Sequence, residues 1–243
     1  DLMVVGEGDE RKVIKSENIF YDYITRNEGV ELEAYPDTKG IPTIGIGFRL
    51  DGEHDDLFKR YGYNPDNLRN KTEKLKLDDT ISMFIDDFLP EYMGLGKRNG
   101  PFKLYGDVFD FRKQENSYLL LALTDFNHWA GSELSKRTVS YEEDGRTKQK
   151  TKMRSGFIGS STKFYSALKA YGKGEKERLG VWGVDNPNTV MGQMTLDYNA
   201  YKTKGGRGAI GMAERIKRNA DLIQLWGEGR HARLPLMDAF QTP

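Results

Sequence analysis

The sequence has 243 residues, with 37 Lys and Arg against 37 Asp and Glu, and it contains no cysteine. This length allows one large domain or two small ones, and it can bury a core without disulfide cross-links. The missing cysteine excludes disulfide frameworks, thiolate metal sites and cysteine nucleophiles. Aromatic residues at 12% indicate a soluble globular chain. No apolar run approaches the roughly 20 residues of a membrane helix.

The net charge of zero conceals two halves of opposite sign. Residues 1–91 carry 21 acidic and 12 basic side chains, which leaves −9. Residues 92–243 carry 25 basic and 16 acidic side chains, which leaves +9. Such asymmetry favours an anionic partner for the basic half. The alternative is that solvated helix faces simply differ in composition between the two halves.

Patterns along the chain predict mostly helices. Residues 1–16 show no periodic pattern, so we expect an arm or linker there. Ser16 precedes apolar residues spaced as on one helical face, which predicts a helix over about 17–27. Short β-branched and aromatic runs flank Asp37-Thr38-Lys39-Gly40, a pattern typical of a hairpin in a small sheet. Further helices are predicted near 54–61, 78–92, 117–130, 161–172, 187–201 and 209–226.

One polar stretch interrupts the helices. Residues 138–152 surround the turn pair Asp144-Gly145 and predict a protruding β-hairpin with polar faces. We therefore expect an α+β fold with a domain over residues 17–230. It would consist of a small α/β lobe with a short antiparallel sheet (17–76) and a larger helical lobe that carries the hairpin (77–230). Residues 231–243 would form a C-terminal tail.

Two carboxyl groups near the N terminus stand in different predicted environments. Glu28 lies at the C-terminal end of a helix, where the helix dipole and desolvation favour the protonated form. Asp37 lies in a glycine-flanked turn whose exposed amides favour the ionised form. Glycoside hydrolysis needs such a pair, one acid for the leaving oxygen and one base for water. Thr43 on the following strand is placed to help hold that water.

The residues around this pair carry a more specific signal than the spacing does. They are Glu28-Gly29, Tyr35, Asp37-Thr38, Gly40 and Thr43-Ile44-Gly45-Ile46-Gly47. Position for position, they resemble the N-terminal signature of the phage-type (T-even phage lysozyme-like) lysozymes, glycoside hydrolase family 24. Looser similarity continues through residues 77–87, 122–131 and 211–226.

The resemblance implies a mostly helical, lysozyme-like fold and a muramidase activity. The family hydrolyses, with inversion, the β-1,4 bond between N-acetylmuramic acid and N-acetylglucosamine in peptidoglycan. By this resemblance Glu28 would be the general acid, Asp37 the base and Thr43 the residue that positions water. Phe48 replaces the family's common His, and Trp129 stands where Asn or Gln is usual.

Three aromatic residues are candidates for substrate binding: Phe48, His128 and Trp129. An aromatic side chain at a sugar site can stack on a pyranose ring, whereas for Trp129 core packing is the alternative. We expect no metal, because His54, His128 and His231 are far apart and form no ligand motif. We also expect no cofactor, no nucleic acid partner and no membrane insertion.

The expected partners are peptidoglycan glycan strands and, for a domain of a larger assembly, other phage virion proteins or further domains of a longer chain. The expected place of action is the periplasmic or cell-wall peptidoglycan, reached from a phage virion or from the host cell. No signal peptide opens the sequence. The arm, the polar hairpin and the start at Asp1 favour a virion-associated enzyme over a free endolysin.

Two other functions stay open. A lytic transglycosylase on the same scaffold would use one acid–base residue and the sugar's own 6-hydroxyl, so it would have no need of Asp37 and Thr43. A non-catalytic glycan-binding or structural module of a larger virion protein would account for the arm and the hairpin without cleavage.

Overall fold

A computed structural model describes residues 2–5, 12–15, 19–37, 40–131, 134–143 and 146–231; for 2–5, 12–15, 134–143 and 146–155 it describes the backbone. The fold is α+β and mostly helical with a small three-stranded antiparallel sheet, which confirms the predicted class. The chain divides into two compact units between Pro90 and Glu91. This division lies later in the chain than the lobe boundary predicted after residue 76.

The segment predicted as an arm contains two short paired strands. Strand β1 (Leu2–Val5) runs antiparallel to β2 (Lys12–Lys15). Four-residue strands are too short to show a convincing period in the sequence, which explains why the pattern gave no strand prediction there. The predicted tail beyond residue 231 lies outside the described residues.

In the first unit, one helix leads into the three-stranded sheet. Helix α1 (Ile19–Glu28) buries Phe20, Tyr21 and Ile24, the apolar face predicted from the sequence. It ends at Gly29, whose backbone has φ +78° and whose N–H donates to the Thr25 carbonyl at 2.7 Å. A positive φ costs glycine little, so the chain can turn sharply from the helix into the sheet.

The predicted hairpin is present and continues into a third strand. Its strands are β3 (Glu31–Pro36), β4 (Pro42–Gly45) and β5 (Phe48–Arg49), paired antiparallel in that order. Gly45 has φ +65°, and a Cβ atom there would lie 2.7 Å from the Phe48 ring. Only glycine therefore allows the β4–β5 turn to close over Phe48.

The rest of the first unit is helical, and the predicted helices near 54–61 and 78–92 are confirmed. The second of these is one continuous helical run whose middle, Met83–Phe88, is π-helical and buries Met83, Phe84 and Phe88. The helices are α2 (Asp55–Arg60), α3 (Pro65–Arg69), α4 (Leu77–Ser82) and α5 (Leu89–Met93), the last of which crosses the boundary between the units.

The second unit is built around a central buried helix. Helix α7 (Ser117–Ala130) is buried almost all round, as expected from its apolar sequence. Helix α10 (Arg207–Gly227) packs against α7 and against α9 (Val190–Lys204). Thr162 and Thr189 cap their helices by accepting a backbone N–H from the first turn. The other helices are α6 (Pro101–Tyr105), α8 (Lys163–Gly172), α9 (Val190–Lys204) and α10 (Arg207–Gly227), and they confirm the three predicted after residue 160.

The polar stretch forms the predicted hairpin and is longer than predicted. Strand β6 (Leu134–Glu143) pairs antiparallel with β7 (Arg146–Ser155), while the turn residues 144–145 lie outside the described residues. Among the described helices, none is long and apolar enough to span a membrane.

A buried ion pair joins α7 to α10. Asp125 is fully buried and accepts two hydrogen bonds from the Arg215 guanidinium, at 2.9 and 2.7 Å, and one from the Asn219 amide at 2.8 Å. The bidentate geometry and the third donor compensate for removing the carboxylate from water. The Arg215 guanidinium also lies over the Trp129 ring, 5.5 Å from its centroid.

Arg215→Met should lower the free energy of unfolding by about 3–5 kcal/mol, because Asp125 would stay buried without its cation. Arg218→Met, at an exposed position of the same helix, is the matched control and should change that free energy by less than about 0.5 kcal/mol. Urea unfolding followed by circular dichroism measures both. Equal effects of the two substitutions would contradict a structural role for the buried pair.

Candidate active site

Glu28 is the last residue of α1 and is half-buried. The structure thus places it as predicted, at a helix C terminus just before the glycine that ends the helix. The carbonyl groups at this end carry the partial negative charge of the helix dipole, which opposes a negative charge on a neighbouring side chain.

Asp37 follows the end of β3, and the chain returns to it at Ile41. The Asp37 N–H donates to the Ile41 carbonyl at 2.9 Å, and the Ile41 N–H donates to Asp37 Oδ1 at 2.8 Å. The Gly40 N–H donates to the Asp37 carbonyl at 2.9 Å. These bonds close the turn and hold the carboxylate at the mouth of the hairpin.

Thr43 lies on β4 directly opposite Tyr35 of β3 and is 4% exposed. Residues that face each other across antiparallel strands present their side chains on the same face of the sheet. The Thr43 hydroxyl donates to the Ile41 carbonyl at 3.0 Å. Because the hydroxyl proton is used in this hydrogen bond, the hydroxyl oxygen is available to accept a hydrogen bond from a water molecule.

Tyr35 connects these groups electrostatically. Burial, followed by the carboxylates of Glu28, Glu31 and Asp37, raises the pKa of Tyr35 to about 12. Both candidate catalytic carboxyl groups thus contribute to the electric field at the Tyr35 phenol, after the larger effect of burial. The raised pKa also shows that the field at this point disfavours additional negative charge.

Tyr35 belongs to this site although sequence reasoning gave it no role of its own. Its phenol keeps its proton at any physiological pH, so it is a neutral donor among carboxylates. The available signal was its position in the sequence, two residues before Asp37 and among the signature residues.

Phe48 does not support the substrate-binding role predicted for it. It is fully buried and stacks on Phe88 with 4.2 Å between ring centroids. A ring enclosed in the core presents no face to a sugar. We therefore do not include Phe48 among the residues proposed to bind substrate.

His128 and Trp129 belong to the second unit, at the C-terminal end of α7. The His128 ring meets the Tyr92 ring edge to face, 4.7 Å between centroids. Trp129 is half-buried and lines a pocket of about 260 Å³, and its indole N–H finds no acceptor among the described residues. The pocket is also lined by Phe157, Phe164, Gln193, Asp197 and Tyr201.

The pocket lining combines aromatic side chains with an amide and a carboxylate. Trp129 and Tyr201 are half-buried, whereas Phe164 is buried and Phe157 stacks on Phe126. Within the described residues, no cluster of three His, Asp or Glu side chains could hold a metal ion.

Comparisons with known proteins do not assign the chain to a family. No family model matches the sequence, and no curated protein matches it significantly. The resemblance to phage-type lysozymes therefore rests on the signature residues around Glu28, Asp37 and Thr43.

Tyr35→Phe should reduce the fall in the free energy of unfolding between about pH 10 and pH 12. The unfolded phenol ionises near pH 10 whereas the folded one ionises near pH 12, so the stabilisation is complete below about pH 10 and is lost as pH rises to about 12. Urea unfolding across this range should show a smaller fall for Tyr35→Phe than for the wild type. Tyr61 and Tyr63, whose pKa values are also raised to about 12, contribute equally to both proteins. Parallel profiles would contradict the raised pKa of Tyr35, which arises from its burial and then from the neighbouring carboxylates.

Proposed function

We propose that this protein is a muramidase that hydrolyses the β-1,4 bond between N-acetylmuramic acid and N-acetylglucosamine in peptidoglycan. Glu28 is the general acid, Asp37 the general base and Thr43 the residue that positions the water. The observation that carries the proposal is the hairpin geometry that fixes Asp37 and Thr43 to the main chain of Ile41, just after the helix that ends at Glu28.

The reaction follows from the placement of these groups. Glu28 donates its proton to the glycosidic oxygen as the bond to the anomeric carbon breaks, so the leaving sugar departs as a neutral alcohol. A water molecule attacks the anomeric carbon from the opposite face, which inverts its configuration. Asp37 takes one proton of that water, and exchange with solvent then returns each carboxyl group to its starting form.

Water positioning is the role proposed for Thr43. Its hydroxyl proton is held by the Ile41 carbonyl, so the oxygen accepts the second hydrogen of the attacking water. With one hydrogen bonded to Asp37 and the other to Thr43, the water's lone pair points away from both and towards the sugar. Orienting the reactants in this way is a recognised source of catalysis.

Hydrolysis is favoured over lytic transglycosylation by the hydrogen bonds around Ile41. A transglycosylase uses the sugar's 6-hydroxyl as nucleophile and needs no group to hold a water. Here the main chain of one residue fixes both Asp37 and Thr43, which supports a site organised around a nucleophilic water.

Glycan binding is a second function, and the pocket of the second unit supports it. We propose that Trp129 and Tyr201 stack on a sugar ring of the same polymer, with Gln193 and Asp197 as hydrogen-bonding groups. His128 adjoins Trp129 and remains a candidate contact. Such binding would serve either an enzyme or a binding module in a phage virion protein that acts at the cell wall.

Glu28→Gln should reduce the release of reducing ends from purified sacculi by about 10²–10⁴-fold, the usual contribution of a general acid. The amide keeps the shape of the side chain, so thermal unfolding should be nearly unchanged. Glu33→Gln is the matched control: Glu33 lies on β3 and forms a surface ion pair with Lys74, and its loss should leave activity intact.

Full activity of Glu28→Gln would contradict the proposed acid. Wild-type protein that binds sacculi but releases no fragments would contradict the muramidase proposal and leave glycan binding as the function.

A further inference from the structure

The β6–β7 hairpin, here called the ribbon, concentrates the positive charge of the basic half. Its two strands carry seven Lys and Arg against two Glu, a net charge of +5 out of the +9 found in residues 92–243. Within the described part of the chain, each strand has extensive backbone contacts only with the other strand. The ribbon is thus a charged element that neither the core nor the proposed catalytic site explains.

The strand register separates these charges between the two faces of the ribbon. Because successive residues of a strand belong to opposite faces, cross-strand partners share a face. Arg137 is paired with Lys152, and Lys148 with Tyr141. One face therefore has the net charge of +5, while the other has one basic and one acidic residue and is neutral. The basic positions of the charged face, called the cationic face, are Arg137, Arg146, Lys148, Lys150, Lys152 and Arg154.

The cationic face has a regular geometry. Five of its basic residues occupy every second position of β7, from Arg146 to Arg154. Two residues of an antiparallel strand advance about 6.8 Å, so the five positions form a row along a ribbon about 34 Å long. A row of equally spaced like charges matches an extended polymer with repeated anionic groups better than it matches one small anion.

We propose that the cationic face of the ribbon binds the carboxylates of the peptidoglycan stem peptides. Each muramic acid of a glycan strand bears a peptide with free carboxylates, so the polymer presents a repeated row of anions. The identity of this polymer rests on the proposed function. The ribbon then supplies attachment to the polymer through charge, whereas the site at Glu28 and Asp37 supplies cleavage.

Two other anionic partners fit the ribbon less well. Single-stranded nucleic acid is held by aromatic residues interleaved with basic ones, and the cationic face has Tyr141 as its only aromatic position. Anionic membranes are bound by elements that combine basic residues with an apolar face. The neutral face of the ribbon has mostly Thr, Ser and Gln, with Leu134 and Met153 near the ends of the strands away from the turn.

The test compares two variants with the same loss of net charge. Lys148→Gln/Lys150→Gln/Lys152→Gln removes three cations from the row. Lys113→Gln/Lys173→Gln/Lys204→Gln removes three exposed cations elsewhere in the second unit and is the matched control. Binding of the full chain to purified sacculi is measured by co-sedimentation on ice, at low salt and at about 1 M salt, where the Debye length falls to about 3 Å.

The ribbon variant should bind about tenfold more weakly than the wild type, since each lost surface ion pair contributes a fraction of a kcal/mol to about 1 kcal/mol. The control variant should bind as the wild type does, and high salt should abolish the difference. Sacculi whose carboxylates have been amidated should bind wild type and ribbon variant equally weakly. This last comparison uses the wild type and stays decisive if the ribbon variant does not fold.

Equal weakening of both variants, or undiminished binding to amidated sacculi, would overturn the proposal. If single-stranded DNA or anionic phospholipid vesicles bind the wild type more tightly than sacculi do and fail to bind the ribbon variant, the proposal is overturned in favour of that partner. Binding needs no cleavage, so failure of the ribbon and failure of the muramidase activity are separate results.

Discussion

The main chain of Ile41 holds together the residues on which the proposed chemistry depends. Its N–H binds the Asp37 carboxylate, and its carbonyl accepts both the Asp37 N–H and the Thr43 hydroxyl. The proposed base, Asp37, and the proposed water-positioning residue, Thr43, are therefore both fixed to one point of the β3–β4 hairpin. The same hairpin pairs Tyr35 with Thr43 across its two strands. Burial and then the carboxylates of Glu28, Glu31 and Asp37 raise the pKa of Tyr35. A site held by backbone bonds needs little reorganisation during reaction.

Local patterns in the sequence predicted the parts of this site that local structure determines. The end of α1 at Glu28, the hairpin after it and the position of Thr43 follow from helical periodicity, glycine and β-branched residues within a short stretch. The burial of Phe48 could not be predicted from the local sequence, because Phe48 packs against Phe88, which lies far away in the sequence. Likewise, the partner of Asp125 is Arg215, ninety residues away. Such pairings depend on the packing of whole helices, which no local pattern encodes.

Within residues 92–243, the positive charge is concentrated in one element. The ribbon contributes +5 of the net charge of +9, and the strand register places this +5 on one face of the ribbon. The acidic half contains the proposed catalytic carboxylates. The proposed attraction to an anionic polymer and the proposed acid catalysis thus use different parts of the chain, and neither requires a net charge on the whole protein.

The most direct test of the central claim is to digest purified sacculi in water enriched in oxygen-18 and to analyse the fragments by mass spectrometry. A hydrolase that activates water through Asp37 and Thr43 must place one heavy oxygen on the reducing-end muramic acid of each new fragment. The proposed mechanism predicts this label, in the inverted α configuration when the anomers are resolved at early times. Unlabelled 1,6-anhydromuramic acid ends would contradict it, because they would show that the sugar's own hydroxyl had replaced water.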